Sequence, residues 1–258
     1  MAKIIGIVNQ KGGTGKTTTS VNLGGYLAAM GKYVLMVDVD PQANATSGLG
    51  FDPAVLEKGL YHGLVGEAFP EDLIRKTNLF GYDIIPATPD LAGATVDLVN
   101  MSNREFRLYE ALRRIRTNYD YIFIDCPPSL GLLTINCLVA AEEIIIPVQC
   151  EYYSLEGLGQ LLKTVELVKE NLGTDIKIRG ALLTMYDKRN RLARQIVKEM
   201  RQHFPGHVFE AIIPRCVKLA EAPSHGKVIL QYDPWSRGAK AYKQMAEEVL
   251  NLEKIQRP

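Results

Sequence analysis

A glycine-rich octapeptide, Lys11-Gly12-Gly13-Thr14-Gly15-Lys16-Thr17-Thr18, follows the apolar run Ile4-Ile5-Gly6-Ile7-Val8 and opens onto a segment of helical period. Such a turn between a strand and a helix lets successive backbone N–H groups converge at a helix N-terminus, a geometry suited to a polyanion. The Lys16 ammonium can then reach β- and γ-phosphates, and the Thr17 hydroxyl can complete a Mg²⁺ shell. Gln10 stands where the usual Gly-x-x-x-x-Gly-Lys-Thr pattern has its first glycine, and a second lysine, Lys11, has entered the turn. A lysine is costly in a turn that wraps a polyanion unless its charge is used on phosphate, in the same subunit or in another. The alternative, a glycine-rich turn with two solvated lysines, is the weaker reading with the strand before it and the helix after it in place.

Apolar runs of strand length alternate with helix-period segments along the whole chain, which predicts a mostly parallel twisted sheet with helices on both faces, an α/β fold. Strands are predicted over 3–8, 33–38, 82–86, 120–125, 143–148, 177–185 and 208–213. Helices are predicted over 16–30, 90–99, 103–117 with Ser102 and Glu105 as a capping box, 131–141, 154–172, 190–203 and 237–254. Residues 41–80, broken by Pro41, Pro53 and Pro70, read as an insertion on the same domain. No repeat or linker divides the chain, so one domain over 1–258 is expected. No apolar stretch approaches the roughly 20 residues that span a bilayer, and no signal-peptide pattern precedes the first strand; a cytoplasmic protein is expected. Cys126, Cys137, Cys150 and Cys216 are scattered without C-x-x-C spacing and read as buried thiols.

Ligands of open parallel sheets bind beyond the carboxyl ends of the strands, so acids just after apolar runs are the candidates for chemistry. Asp38-Val39-Asp40-Pro41-Gln42 follows one run, and Asp125-Cys126-Pro127-Pro128 follows another. Asp125 has the form of a Walker B acid that orients Mg²⁺ or a metal-bound water. Asp40 is read as positioning or polarising an attacking water, with Asp38 supporting the metal shell; a turn cap before Pro41 is the alternative for Asp38. Pro127-Pro128-Ser129-Leu130-Gly131 is suited to sensing a γ-phosphate; a rigid diproline turn with no switching role is the alternative.

These three segments together resemble the deviant Walker A ATPases, and within them the ParA/Soj branch of chromosome and plasmid partition ATPases. Pro147-Val148-Gln149-Cys150-Glu151-Tyr152-Tyr153-Ser154-Leu155-Glu156-Gly157 and Glu221-Ala222-Pro223-Ser224-His225-Gly226 are also similar to that family, so the resemblance runs from residue 3 to about 245. It implies a P-loop NTPase fold, ATP and Mg²⁺ as ligands, and slow intrinsic hydrolysis. It also implies a homodimer in the ATP state, with Lys11 reaching the partner's phosphates, that binds double-stranded DNA without sequence preference. A ParB-type DNA-binding protein would stimulate hydrolysis and release, giving a nucleoid-associated location. Carried onto this chain, Lys11 to Thr18 hold the nucleotide, Thr17, Asp38, Asp40 and Asp125 surround the metal, and Pro214-Arg215 flanks the adenine. The family often has asparagine where this chain has Cys216, and arginine where it has Lys218.

Between Asp175 and Lys218 ten basic residues stand against four acids, although the whole chain carries only +1. Arg191, Arg194, Lys198 and Arg201 recur at helical spacing, with Lys188 and Arg189 just before them. A solvated face is the usual meaning of such a stripe; the resemblance raises DNA above it. Lys188, Arg189, Arg191, Arg194 and Lys218 are the candidate contacts, acting by neutralising backbone phosphates. The cluster Arg104, Arg107, Arg113, Arg114 and Arg116, interleaved with Glu105 and Glu110, reads as a soluble face.

The main rival is a MinD-like ATPase on a membrane. The segment from Tyr242 to Arg257 mixes acids with bases and has no Phe or Trp, which suits a helix packed on the domain better than one lying in lipid.

Overall fold

The computed structural model describes residues 1–151 and 154–256. Seven strands form one sheet in the order β3-β4-β2-β5-β1-β6-β7. They are β1 (Lys3–Ile7), β2 (Val34–Asp38), β3 (Arg75–Lys76), β4 (Tyr82–Ile85), β5 (Tyr121–Asp125), β6 (Glu143–Gln149) and β7 (Lys177–Thr184). All neighbours are parallel except β3 and β4.

Side chains alternate between two apolar layers because successive strand residues point to opposite faces. In β5, Ile122 and Ile124 enter one layer while Tyr121 and Phe123 enter the other. Helices Arg107–Ile115, Leu132–Ala140, Ser154–Leu172 and Arg191–His203 cover the first layer; Lys16–Ala29 and Arg237–Gln256 cover the second. Burial on both faces explains why the strands read as continuous apolar runs, each large side chain contributing about 1.5–3 kcal/mol. The final helix buries Tyr242, Met245, Ala246 and Val249 in the core. Among the described residues no helix is long and apolar enough to cross a membrane.

The chain runs from β1 to β2 on one side, later fills the gap between them with β5, and places β6 on the other side of β1. The carboxyl ends of β1, β2 and β5 therefore meet at a topological switch point, the usual location of a ligand.

Four sequence expectations change. Residues 208–213 form no strand; only the isolated bridges Ala181–Val208 and Tyr186–Pro214 remain. The cause is Glu248 on the final helix: its carboxylate accepts the N–H of Ala211 (3.1 Å), the next one after Phe209 that would point at β7, together with the N–H of Glu210 (2.9 Å). On either side, Phe209 N–H still donates to Ala181 O (3.0 Å) and Ile213 N–H to Leu183 O (2.9 Å), so the outer edge of β7 is covered. The capping box at Ser102 and Glu105 does not form: the helix starts at Arg107, its Leu108 N–H donates to Asn136 Oδ1 (3.1 Å), and Glu105 pairs with Arg104 (2.8 Å). The helix expected over 90–99 is three short turns, Pro89–Ala92, Ala94–Asp97 and Leu98–Asn100. Cys126, Cys137 and Cys150 are buried as expected, but Cys216 is only partly so.

Candidate nucleotide site

Asn9, just past β1, fixes the start of the glycine-rich loop. Its Oδ1 accepts the Lys11 N–H (2.9 Å) while its Nδ2 donates to Pro147 O (2.6 Å). Gly13 and Gly15 sit at φ of 74° and 90°, in the left-handed region that side chains disfavour. From β7, Thr184 Oγ1 donates to Thr14 O (2.8 Å) and ties the loop to the sheet. Lys16 is 7% exposed. Burial pushes its pKa below the ordinary lysine value, and the charges of Asp125 and Asp40 oppose that shift.

Asp38 and Asp125 lie side by side at the ends of β2 and β5, both fully buried. Asp38 Oδ2 accepts from Thr46 N–H (2.8 Å) and Thr46 Oγ1 (2.7 Å), and its Oδ1 accepts from Asp40 N–H (3.2 Å). Burial raises its pKa to about 6 against the pull of the Thr46 bonds. Asp125 Oδ1 accepts from Ser20 Oγ (2.9 Å), but its Oδ2 has no protein partner. Burial, then the charge of Asp38, raises Asp125 to about 7, opposed by the Thr17 and Ser20 hydroxyls and by Lys16. An unpartnered buried carboxylate oxygen is unfavourable by about 1–3 kcal/mol or more, and a cation or a metal-bound water relieves it.

Asp38 and Asp40, grouped by sequence spacing, thus have different surroundings. Asp38 commits both oxygens to Thr46 and Asp40, whereas Asp40 lines the cavity. Among the described residues no group of three or more His, Cys, Asp or Glu side chains could hold a metal alone. This fits Mg²⁺, which keeps waters and phosphate oxygens and takes only one or two protein ligands.

The cavity, of about 660 Å³, brings together Gly13, Lys16, Thr17, Asp40, Gln42 and Pro128. A second cavity, of about 360 Å³, is lined by Ile213, Pro214, Arg215 and Cys216. Gly15, Thr18 and Met185 line both, so the two cavities adjoin. Behind the first cavity, Gly226 (φ 59°) approaches Gly50 so closely that a Cβ on it would stand 2.5 Å from Gly50 Cα.

Sequence reasoning missed Thr46, Met185 and Glu151. Met185 has a left-handed φ of 52°, unusual outside glycine and invisible in composition. Glu151 lies 3.8 Å from Lys11 Nζ and 3.4 Å from an Arg215 nitrogen, joining the extra lysine to the second cavity. Its place in the family-like segment after β6 was the available signal; Tyr152 and Tyr153 of that segment lie outside the described residues.

The basic stripe lies far along the chain from this site. Helix Arg191–His203 buries Ala193, Ile196 and Met200 and exposes Arg191, Arg194, Lys198 and Arg201 on its other side. Arg189 is exposed but grips Asp187 through two nitrogens (3.1 and 2.8 Å), which holds the Asp187 carboxyl well below the usual range. Arg194 donates to Lys188 O (2.7 Å), and Lys218 pairs with Glu221 (2.8 Å). Arg179, counted in the basic segment, is buried against Glu143 and Glu253 and adds nothing to the face.

A parallel sheet with a Lys-Thr glycine loop between β1 and its helix, with the charges of Asp40 and Asp125 acting on Lys16 at the switch point, defines a P-loop ATPase. A family model described as an AAA domain matches residues 2–178. The sporulation initiation inhibitor protein Soj of Bacillus subtilis is 57% identical, over 96% of this chain and 98% of its own length. The chromosome partitioning protein ParA of Myxococcus xanthus is 50% identical over 100% and 91%. Among solved structures, cobyrinic acid a,c-diamide synthase of Mycobacterium smegmatis with bound ADP and magnesium superimposes with a TM-score of 0.87 at 36% identity, covering 100% of this chain and 97% of that one. The chain belongs to the Soj/ParA family of chromosome-partitioning ATPases.

Proposed function

We propose that the chain is an ATP-dependent dimerisation switch. Two ATP-bound subunits pair face to face, the pair holds double-stranded DNA through its basic face, and a ParB-type protein accelerates hydrolysis and release. The observation that carries this reading is Lys11. Its side chain is 37% exposed, outside the buried Lys16 site, with a half-exposed glutamate at 3.8 Å as its ion-pair partner. An exposed ammonium at the mouth of a phosphate loop is placed to serve a second subunit's nucleotide, and the γ-phosphate then favours the dimer.

Within one subunit, the loop N–H groups and Lys16 hold the phosphates. Thr17 and Asp125 are the residues that would hold Mg²⁺, which when bound neutralises charge on the β- and γ-phosphates. Asp40 orients the attacking water, whose oxygen bonds to the γ-phosphorus as the bond from that phosphorus to the oxygen bridging it to the β-phosphorus breaks, giving ADP, phosphate and a proton. Asp38 acts from behind by fixing Asp40 and Thr46. Thr134 Oγ1 donates to Ser129 O and ties the diproline loop to the following helix, a route by which loss of the γ-phosphate changes the dimer face.

The burial of the final helix supports DNA over a membrane surface as the partner. DNA affinity and oligomeric state, measured together with ADP, ATP and a non-hydrolysable analogue, test the switch. Dimers and DNA binding are expected with the analogue and not with ADP; equal DNA affinity in all three states sinks the proposal.

A further inference from the structure

We propose that Trp235 is a DNA contact of a different kind from the basic residues: its indole packs into a groove of the duplex while the cations around it hold the phosphates. The inference rests on the DNA reading and adds an apolar contact to a face so far described by charge alone.

Trp235 is the chain's one tryptophan and is 82% exposed. It stands in the turn between the short helix Ile229–Tyr232 and the final helix, Arg237–Gln256. That turn is tied down on both sides of it. Trp235 N–H donates to Asp233 Oδ1 (3.2 Å), Ser236 Oγ donates to Asp233 O (2.9 Å), and the same hydroxyl accepts the Ala239 N–H (3.1 Å). An indole has only two side-chain torsions, so on a fixed turn it loses little freedom when a partner covers it.

The surroundings are basic. Gly238 packs against Leu219 so closely that a Cβ on it would stand 2.6 Å from Leu219 Cγ, which sets the start of the final helix beside helix Val217–Glu221. Lys218 is thereby brought to the same edge as Arg237 and Lys240. Its Nζ lies 5.7 Å from the centre of the Tyr232 ring and 2.8 Å from Glu221 Oε2. Arg237 and Lys240 are exposed, stand one turn apart, and have no ion-pair partner among the described residues. Val217, also exposed, adds apolar surface to this edge.

An isolated indole among unpaired cations suits a duplex better than a bilayer. An interfacial anchor needs a continuous apolar face, and the final helix turns Tyr242, Met245, Ala246 and Val249 into the core instead. A duplex groove offers sugar and base edges between two rows of phosphates, where an apolar side chain packs as Lys and Arg neutralise the backbone. The two kinds of contact differ in their response to salt. Each phosphate neutralised adds about one to the slope of log affinity against log salt, whereas the indole adds affinity with no slope.

Because Trp235 is the one tryptophan, the intrinsic tryptophan emission of the whole chain reports on it alone. The test adds a duplex of mixed sequence to the unaltered protein with Mg²⁺ and a non-hydrolysable ATP analogue, the analogue alone being the baseline. The duplex should quench the emission and shield it from acrylamide. If the duplex binds by anisotropy while the emission stays at baseline, the proposal is overturned and the DNA reading stands. If the duplex binds in no nucleotide state, the DNA reading itself fails and takes this inference with it. Trp235→Ala should weaken DNA binding on the order of tenfold with the salt slope unchanged, and Trp235→Phe should keep most of the affinity. Arg237→Gln combined with Lys240→Gln should instead reduce the slope by about 1–2. Unchanged affinity in Trp235→Ala, or a slope that falls with it, overturns the proposal. So does a blue-shifted emission with anionic phospholipid vesicles and no change with the duplex, which assigns the indole to a membrane.

Discussion

Thr46→Val isolates the brace behind the catalytic loop. Valine matches threonine in shape but removes a hydroxyl that donates to Asp38 Oδ2 (2.7 Å) and accepts from Ala87 N–H (2.9 Å). A hydrogen bond to a charged group contributes about 1.5–3 kcal/mol, and an orphaned buried N–H costs about 1–3 kcal/mol. The expected loss at pH 8 is therefore about 2.5–6 kcal/mol, a large part of the roughly 5–15 kcal/mol that holds an ordinary domain folded, and on the order of 10 °C in Tm.

The pH dependence has a definite sign. Burial already raises Asp38 to about 6, above its value in the unfolded chain, so the folded protein holds an extra proton between roughly pH 4 and 6. That contribution is present at low pH and is lost as pH rises through the folded value. The Thr46 bonds pull the value down, so removing the hydroxyl raises it further and widens the gap between variant and parent from pH 5 to pH 8. Urea unfolding at both pH values, without nucleotide and with an unchanged m-value, measures the gap. Because Asp38 also accepts the Asp40 N–H, hydrolysis should fall more than ATP affinity. A loss below about 1 kcal/mol at pH 8, or equal gaps at the two pH values, would refute the reasoning.

Lys11→Ala should leave ATP binding intact and the protein monomeric by light scattering with ATP; a dimer would assign Lys11 to its own subunit's site. Asp40→Asn should abolish phosphate release with ATP binding retained, and normal turnover would remove Asp40 from the chemistry. Arg189→Ala combined with Arg191→Ala should weaken DNA binding and reduce the slope of log affinity against log salt by about 1–2, sparing ATP binding. Because Arg189 is held by Asp187, Arg191 should carry the larger share of that loss.

The phosphate loop and the ends of β1, β2 and β5 were legible in the sequence because glycine turns and apolar runs leave local signatures. Residues 208–213 look like a strand by the same measure, and the residue that denies them the ladder, Glu248, is about 40 positions away. The failed capping box has the same origin: Asn136, on another helix, supplies the acceptor that Ser102 was expected to provide. The separation of Asp38 from Asp40 was hidden because Thr46, eight residues on, decides which carboxylate is consumed internally. Glu151 and Met185 gave no periodic signal, since one is a charge at a strand exit and the other a backbone angle. Local pattern locates the site, while distant polar contacts assign the work within it.

The cover that residues 209–213 give the β7 edge also bears on how the chain is made. Phe209 and Ile213, whose N–H groups bond to β7, follow its last residue, Thr184, by about 25 and 29 positions. At roughly 5–20 residues per second, a growing chain on the ribosome exposes an incompletely covered sheet edge for several seconds after β7 emerges. Open edges recruit strands from other chains, so neighbouring nascent copies are exposed to aggregation in that interval. Truncation before Phe209 leaves that edge open for good.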